Sequence, residues 1–211
     1  MTIRIGINGF GRMGRLIIRA AFEWPEVEFV QINDPAGDTA TLAHLLNFDS
    51  IHGRWHLEAK SETNVNENSN QMLINDCQIA MSQNKAINDT DWSKCDIVIE
   101  ASGVMRDKAK LQAYFEQGVK KVLVTAPMKI IDSISVEKQD IVNIVMGVNQ
   151  HLYNADRHTI ITAASCTTNC LAPVVKVLQE NIGIKHGSMT TIHDITNTQT
   201  ILDAPHKDLR R

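Results

Sequence analysis

Cysteine is scarce in this sequence, with four residues in a chain of 211. None of them forms a Cys-x-x-Cys pair, which argues against a zinc site, and we expect no bound metal. Cys166 and Cys170 lie four positions apart in a helical pattern, a spacing too constrained for an easy disulfide. We therefore expect Cys77, Cys95 and this pair to be reduced thiols in a cytoplasmic protein.

Other features that are absent exclude further classes of protein. There is no apolar run of about 18 residues, so we expect no membrane-spanning helix. The N-terminus enters a strand pattern directly, without the charged and apolar segments of a signal peptide. A net charge of −3 does not attract nucleic acid. The composition, 43% hydrophobic and 21% charged, is typical of a globular protein with one large or two small domains.

The N-terminal part has the pattern strand, glycine-rich turn, helix, strand. An apolar strand at 4–8 leads into Gly9-x-Gly11-x-x-Gly14, a helix follows to about residue 24, and a second strand at 28–33 ends in Asp34. In such turns the first glycine permits the tight turn, the second lets the backbone approach a pyrophosphate, and the third lets helix and strand pack closely. The carboxylate of Asp34 suits ribose hydroxyls and repels a 2′-phosphate. The pattern predicts a dinucleotide site that prefers NAD to NADP, and the alternative is a glycine-rich turn of another α/β protein.

The middle of the chain alternates strands with helices, which predicts a doubly wound, Rossmann-type parallel sheet covered on both faces. Ligands of such sheets bind at the carboxyl ends of the strands, where Ser102, Gly103 and Thr125 lie. A helix is predicted at 38–47 with Asp38 as its N-cap. We interpret 54–79 as antiparallel strands on a loop excursion, with a solvated hairpin tip at 64–70. The remaining predicted elements are strands at 96–100, 120–125 and 141–146 and a helix at 108–117.

Near residue 148 the pattern changes. We assign 1–148 to a Rossmann-type nucleotide-binding domain and 149–211 to the N-terminal part of an α+β catalytic domain that is incomplete. This second part holds a short apolar segment at 159–162, a helix that begins near Cys166 and a predicted strand at 185–192. One strand, helix and strand are too few to enclose a separate core.

Cys166 follows a turn of small residues and precedes a helical apolar pattern, which places it in the first turn of a helix. Unpaired N–H groups and the helix dipole favour an anion there, and a thiolate is the nucleophilic form of cysteine. The predicted strand at 185–192 would deliver His193, and Thr196 follows it. A cysteine paired with a distant histidine recurs in covalent catalysis. The alternative for Cys166 is an inert, buried small residue.

Together these motifs resemble phosphorylating glyceraldehyde-3-phosphate dehydrogenases, and the similarity extends over the whole chain. The segments that carry it are INGFGRMGR at 7–15, IND at 32–34, DSIHGR at 49–54, ASCTTNCLAP at 164–173, MTTIH at 189–193 and HKDLRR at 206–211. The resemblance implies a small-molecule substrate, NAD as cofactor and a homotetramer in the complete form. It also implies that the family continues beyond the end of this chain.

The resemblance further implies roles for individual residues. Cys166 would be the nucleophile and His193 its activator. The substrate or inorganic phosphate would contact Ser165, Thr167 and Thr196. The dinucleotide would be lined by Gly9, Gly11, Arg12, Met13, Gly14, Asp34 and Thr125.

Several functions remain open at this stage. The segments at 34–37 and 196–200 resemble a subgroup encoded beside arsenic efflux permeases, whose co-substrate is thought to be arsenate, and an ordinary glycolytic enzyme is the alternative. A relative that oxidises erythrose 4-phosphate or a semialdehyde is a second possibility. A non-catalytic fragment that binds only dinucleotide or a partner subunit is a third.

Overall fold

The structure is a computed structural model that describes residues 2–64, 69–128 and 140–192. The longer elements are, in chain order, β1 (Ile3–Asn8), α1 (Arg12–Ala21), β2 (Val27–Asn33), α2 (Thr39–Asn47), β3 (Phe48–Asp49), β4 (Gly53–Arg54), β5 (Ala59–Asn64), β6 (Ser69–Ile74), β7 (Cys77–Ser82), β8 (Ile97–Glu100), α3 (Lys108–Glu116), β9 (Lys121–Val124), β10 (Ile141–Asn143), β11 (Ile160–Thr162) and α4 (Cys166–Asn181). Short 3₁₀ turns lie at Ile87–Asp89 and Gln150–Leu152.

Among the described residues, nine strands form one sheet in the order β10-β11-β9-β8-β1-β2-β7-β6-β5, and β3 pairs with β4 in a separate hairpin. From β10 across to β7 every neighbouring pair is parallel. Parallel strands place their carboxyl ends at one edge of a sheet, which is where ligands bind in open α/β folds. The predicted Rossmann-type architecture is confirmed.

Both faces of the sheet are covered by hydrophobic clusters, as two adjacent residues of β8 illustrate. Val98 and Ile99 are neighbours in sequence, but they pack into different hydrophobic clusters. Successive side chains of a strand point to opposite faces, so each cluster covers one face. Ile99 shares its cluster with Ile18 of α1, whereas Val98 packs with Leu111 of α3. This two-sided burial explains why the central strands are apolar throughout.

The observed helix bounds agree with the predicted ones except at the C-terminal end of α1. The side chain of Asp38 accepts a hydrogen bond from Thr41 N at 2.7 Å, so it is the predicted N-cap of α2. However, α1 ends at Ala21 rather than near residue 24. Pro25 disfavours helical backbone in the residue before it, and the chain turns at Trp24, whose N–H donates to Ala21 O.

The segment 54–79 is not a loop excursion, and that expectation was wrong. It is an antiparallel meander, as predicted, but β7 pairs with β2 in parallel and joins the meander to the main sheet. Buried residues cause this arrangement, because Met72, Ile74 and Ile79 pack in the same cluster as Leu42 of α2. The predicted tip at 64–70 lies in part outside the described residues.

The region after residue 148 also differs from expectation. The strand β11 pairs with β9 on one side and with β10 on the other, so it belongs to the parallel sheet of the first domain. The segment 185–192 is exposed and is not a strand, because none of the described strands lies beside it to accept its hydrogen bonds. The division at 148 and the second domain remain predictions, and 193–211 lie outside the described residues.

Candidate active site

The glycine-rich turn joins β1 to α1. A side chain would meet different surroundings at each of its three glycines. Gly9 has a φ of +94°, and a Cβ there would lie 2.4 Å from Ser102 N. A Cβ on Gly14 would lie 2.3 Å from Gly9 O. In the part of the chain that the structure describes, nothing lies within 4 Å of a Cβ built on Gly11. Space is therefore closed on the protein side of the turn and open at Gly11, as approach by a pyrophosphate requires.

The N-terminus of α1 faces this open space without a side-chain cap. Gly11 is the N-cap residue and supplies no side-chain hydrogen bond, and the first turn holds no acidic residue. Backbone N–H groups at such a helix start, together with the dipole, bind phosphate oxygens. Met13 is 46% exposed beside them. The turn and the helix therefore fit the pyrophosphate of a dinucleotide.

Asp34 lies at the carboxyl end of β2 and is only 7% exposed. Its carboxylate accepts hydrogen bonds from Phe10 N at 2.6 Å and from Ala36 N at 2.8 Å. A carboxylate offers about four acceptor positions, so it can also accept from a ribose hydroxyl. Asp34 thus joins the end of β2 to the glycine-rich turn.

Arg12 is held by a partner that the sequence patterns did not indicate. Its Nη1 lies 3.0 Å from Oδ2 of Asp49, which is buried. Burial raises the pKa of Asp49, but the N–H groups of His52 and Ile51 and the charge of Arg12 outweigh it and hold this pKa below its usual value. The DSIHGR segment is therefore fastened to the start of α1.

A network of buried polar side chains connects the carboxyl ends of β1, β2 and β8, and sequence analysis missed it. Glu100 accepts from Asn8 Nδ2 at 2.8 Å and from the hydroxyl of Tyr114 at 2.7 Å. Asn33 donates to Asn8 Oδ1 at 2.8 Å. A polar residue that ends an apolar strand was the available signal, and it occurs in all three strands. Next to β8, Thr125 N donates to Glu100 O at 3.0 Å.

Cys166 is the first residue of α4, as predicted, and it is exposed. Ser165 is the N-cap, and its Oγ accepts from Thr168 N at 3.1 Å. Ala164 has a φ of +56°, a left-handed conformation that is costly for alanine. Asn169 holds this turn by donating to the carbonyl oxygens of residues 163 and 165. The nucleophile candidate therefore stands on a fixed, strained turn at a helix N-terminus.

The sheet brings the two halves of the candidate site to one edge. The glycine-rich turn follows β1 and the Cys166 turn follows β11, and the two strands are separated by β8 and β9. Three strand spacings correspond to about 14 Å. His193 and Thr196 lie outside the described residues, so their predicted roles remain predictions. Within 2–64, 69–128 and 140–192 there is no cluster of side chains suited to hold a metal and no helix able to cross a bilayer.

A parallel sheet with a glycine-rich turn, a buried acid after β2 and an exposed cysteine at a helix start is the arrangement expected of a dinucleotide-binding protein with a candidate thiol nucleophile. Residues 3–108 match the family described as "Glyceraldehyde 3-phosphate dehydrogenase, NAD binding domain", and residues 165–211 match the C-terminal domain of the same enzyme. The chain belongs to the glyceraldehyde 3-phosphate dehydrogenase family, and NAD is the cofactor of its nucleotide-binding domain.

Similar proteins of known name support this assignment. Over its full length the chain is 53% identical to glyceraldehyde-3-phosphate dehydrogenase 3 of Nostoc sp.. It is 45% identical to the enzyme of Geobacillus stearothermophilus and 47% identical to that of Streptomyces coelicolor. In each comparison the chain spans 59% of the relative's length.

Proposed function

We propose that the complete protein to which this chain belongs oxidises glyceraldehyde 3-phosphate with NAD and transfers the acyl group to inorganic phosphate. The observation that carries this proposal is the shared edge of the sheet. The glycine-rich turn after β1 and Cys166 after β11 both follow the carboxyl ends of parallel strands in the same sheet. The names of the relatives agree with this reaction.

Cys166 starts the proposed chemistry. Its thiolate attacks the aldehyde carbon and forms a hemithioacetal, and the N–H groups at the start of α4 stabilise the negative charge on oxygen. When bound, NAD would supply the hydride acceptor for the next step, in which the hemithioacetal is oxidised to a thioester. His193 would take the hydroxyl proton as the thioester forms.

Phosphate then attacks the thioester carbonyl, the Cys166 thiolate leaves, and an acyl phosphate is released. Ser165, Thr167 and Thr196 are the proposed contacts for substrate or phosphate. The structure bears on the first of these, because Ser165 Oγ already accepts from Thr168 N and lies 2.8 Å from Thr168 Oγ1. The Ser165 hydroxyl could therefore donate its hydrogen to a bound phosphate while its oxygen keeps the cap bond from Thr168 N.

The test is NADH formation by the full-length protein from glyceraldehyde 3-phosphate, NAD and phosphate. Cys166→Ser should lose activity by several orders of magnitude, because a serine hydroxyl is not ionised near neutral pH. Cys170→Ser, one turn further along α4, is the matched control and should remain active. An active Cys166→Ser variant would contradict the proposed nucleophile.

The identity of the aldehyde is tested by comparing substrates. Erythrose 4-phosphate and a semialdehyde are the alternatives, and the ratio of kcat/KM values decides among them. We expect glyceraldehyde 3-phosphate to have the largest value. The segments at 34–37 and 196–200 also favour a role in arsenic detoxification, with arsenate in place of phosphate.

Arsenate cannot be tested by rate alone, because tetrahedral oxyanions of similar size both cleave thioesters. Cells that lack the gene but keep an arsenic efflux permease should become more sensitive to arsenate if detoxification is the role. Unchanged sensitivity would favour ordinary central metabolism.

One structural observation favours a second candidate for residues 1–211 taken alone, namely a non-catalytic nucleotide-binding unit. No residue of α4 is buried among the described residues, and Val174 and Val177 are 55% and 60% exposed. Such a surface is normally covered by further structure. Purified 1–211 should be prone to aggregation, with weak NAD binding at most and little or no turnover. We also propose that the complete protein is a homotetramer and that it is cytoplasmic. Sedimentation of the full-length protein would test the oligomeric state, and cell fractionation would test the location.

A further inference from the structure

Glu100, the last residue of β8, is a carboxylate that is 2% exposed, and the proposed reaction does not use it. Its Oε2 accepts from Asn8 and from Tyr114, as described above. Its Oε1 accepts from Ser102 N at 2.8 Å and from Ser102 Oγ at 2.5 Å. All four of these contacts come from neutral donors. A buried carboxylate held in this way is oriented by its partners rather than by an ion pair.

The partners of Tyr114 complete the arrangement. Its hydroxyl donates to Glu100 and accepts from Asn8 Nδ2 at 2.7 Å. Burial, followed by the charge of Glu100 and the hydrogen bond to it, raises the pKa of Tyr114 far above its ordinary value, so the phenol stays protonated. Tyr114 lies on α3, whereas Asn8 ends β1, so the carboxylate joins a helix to two neighbouring strands.

Ser102 is the point where this cluster reaches the dinucleotide site. Its backbone N is the atom closest to the Cβ position of Gly9, at 2.4 Å. Ala101 N also donates to Asn8 O at 2.7 Å, which keeps the two strand ends in register. The loop after β8 therefore packs directly against the first glycine of the turn. Glu100 holds that loop through its two hydrogen bonds with Ser102.

We propose that Glu100, supported by Tyr114, is a positioning residue that holds Ser102 against Gly9 and so shapes the pyrophosphate-binding turn. Asp34 holds the same turn from the β2 side through Phe10 N. The two acids thus act on different parts of one ligand. Asp34 would contact the ribose of the adenosine, whereas Glu100 would act on the phosphate site through Ser102.

The central test is Glu100→Gln, which keeps the size of the side chain but places an NH₂ group where an oxygen accepted hydrogen bonds. That group must face either Ser102 N–H or the NH₂ of Asn8, and both are donors. Binding of NAD and of adenosine to the full-length protein is measured by titration calorimetry. We expect the Kd for NAD to rise about ten- to hundredfold, the effect of losing a hydrogen bond to a charged group, while the Kd for adenosine stays unchanged.

Two milder variants keep the inference testable if Glu100→Gln does not fold. Tyr114→Phe and Ser102→Ala each remove one hydroxyl that Glu100 binds, and each should raise the Kd for NAD by about two- to tenfold. The matched controls are Glu116→Gln, an exposed acid on α3, and Tyr153→Phe, a tyrosine that is 40% exposed. Both controls should bind NAD like the parent protein.

Two results would overturn the inference. One is unchanged NAD binding in all three variants. The other is an equal loss of NAD and adenosine binding, which indicates a general structural role. The inference rests on the dinucleotide site of the proposed function, but its test does not involve turnover. A protein that binds NAD normally and oxidises no aldehyde would contradict the proposed reaction and leave this test valid.

Discussion

The carboxylate of Asp34 lies 2.6 Å from the backbone nitrogen of Phe10, so the acid at the end of β2 also fastens the glycine-rich turn. Asp34 therefore stabilises the turn, in addition to the ribose contact that we propose for it. Changing it should affect both stability and cofactor choice.

We expect Asp34→Ala to narrow the preference for NAD over NADP, because the carboxylate that repels a 2′-phosphate is removed. It should also lower the free energy of unfolding by about 1–3 kcal/mol, since Phe10 N–H is left buried without an acceptor. Titration with both cofactors and urea unfolding measure the two effects. Asp76→Ala, at an exposed turn, is the control. Tighter binding of NADP than NAD by the parent protein would contradict the assignment.

Two glycines of the turn should respond differently to the same substitution. Gly11→Ala should fold normally, because its Cβ would lie within 4 Å of no described residue. It should nevertheless weaken NAD binding by occupying the pyrophosphate space. Gly14→Ala should lower the free energy of unfolding by about 1–3 kcal/mol, because its Cβ would lie 2.3 Å from Gly9 O. Thermal unfolding and NAD titration separate the two cases. Equal losses of stability in the two variants would contradict the prediction that a side chain fits at position 11.

Alkylation should distinguish the four cysteines. Cys166 is exposed at a helix start and should react first with iodoacetamide near neutral pH. Cys95 is 2% exposed, and burial raises its pKa to about 12, so it should react last. Cys77 and Cys170 are exposed and serve as internal comparisons. Peptide mass spectrometry gives the order, and preferential labelling of Cys170 would refute the choice of nucleophile.

His158 should make the fold sensitive to mild acid. Burial, followed by the charges of Arg157 and Lys121, lowers its pKa, with Asp140 opposing. The unfolded chain therefore takes up this proton first, so stability is present above about pH 6.5 and is lost as pH falls toward the lowered value. The loss should reach at most about 1.4 kcal/mol per pH unit. His158→Gln should flatten this slope in urea unfolding, and the exposed His151→Gln should not.

Local patterns were sufficient to predict much of the fold and the placement of Cys166 at the start of a helix. The βαβ unit, the glycine-rich turn, the N-cap at Asp38 and the start of α4 at Cys166 all depend on residues close together in sequence. Turn geometry, capping and amphipathic periodicity act over a few residues, so they can be predicted without knowing where the rest of the chain lies.

Pairing between distant segments was decided only by the tertiary structure. No local pattern shows that β7 joins β2, that β11 inserts between β9 and β10, or that 185–192 has no described strand beside it. A strand forms only where another supplies donors and acceptors, and its partner is chosen by burial across the whole sheet. For the same reason the role of Glu100 could not be predicted from the sequence. Only the fold brings Asn8, Ser102 and Tyr114 around its carboxylate. A buried carboxylate acquires its role from groups that only the folded chain brings together.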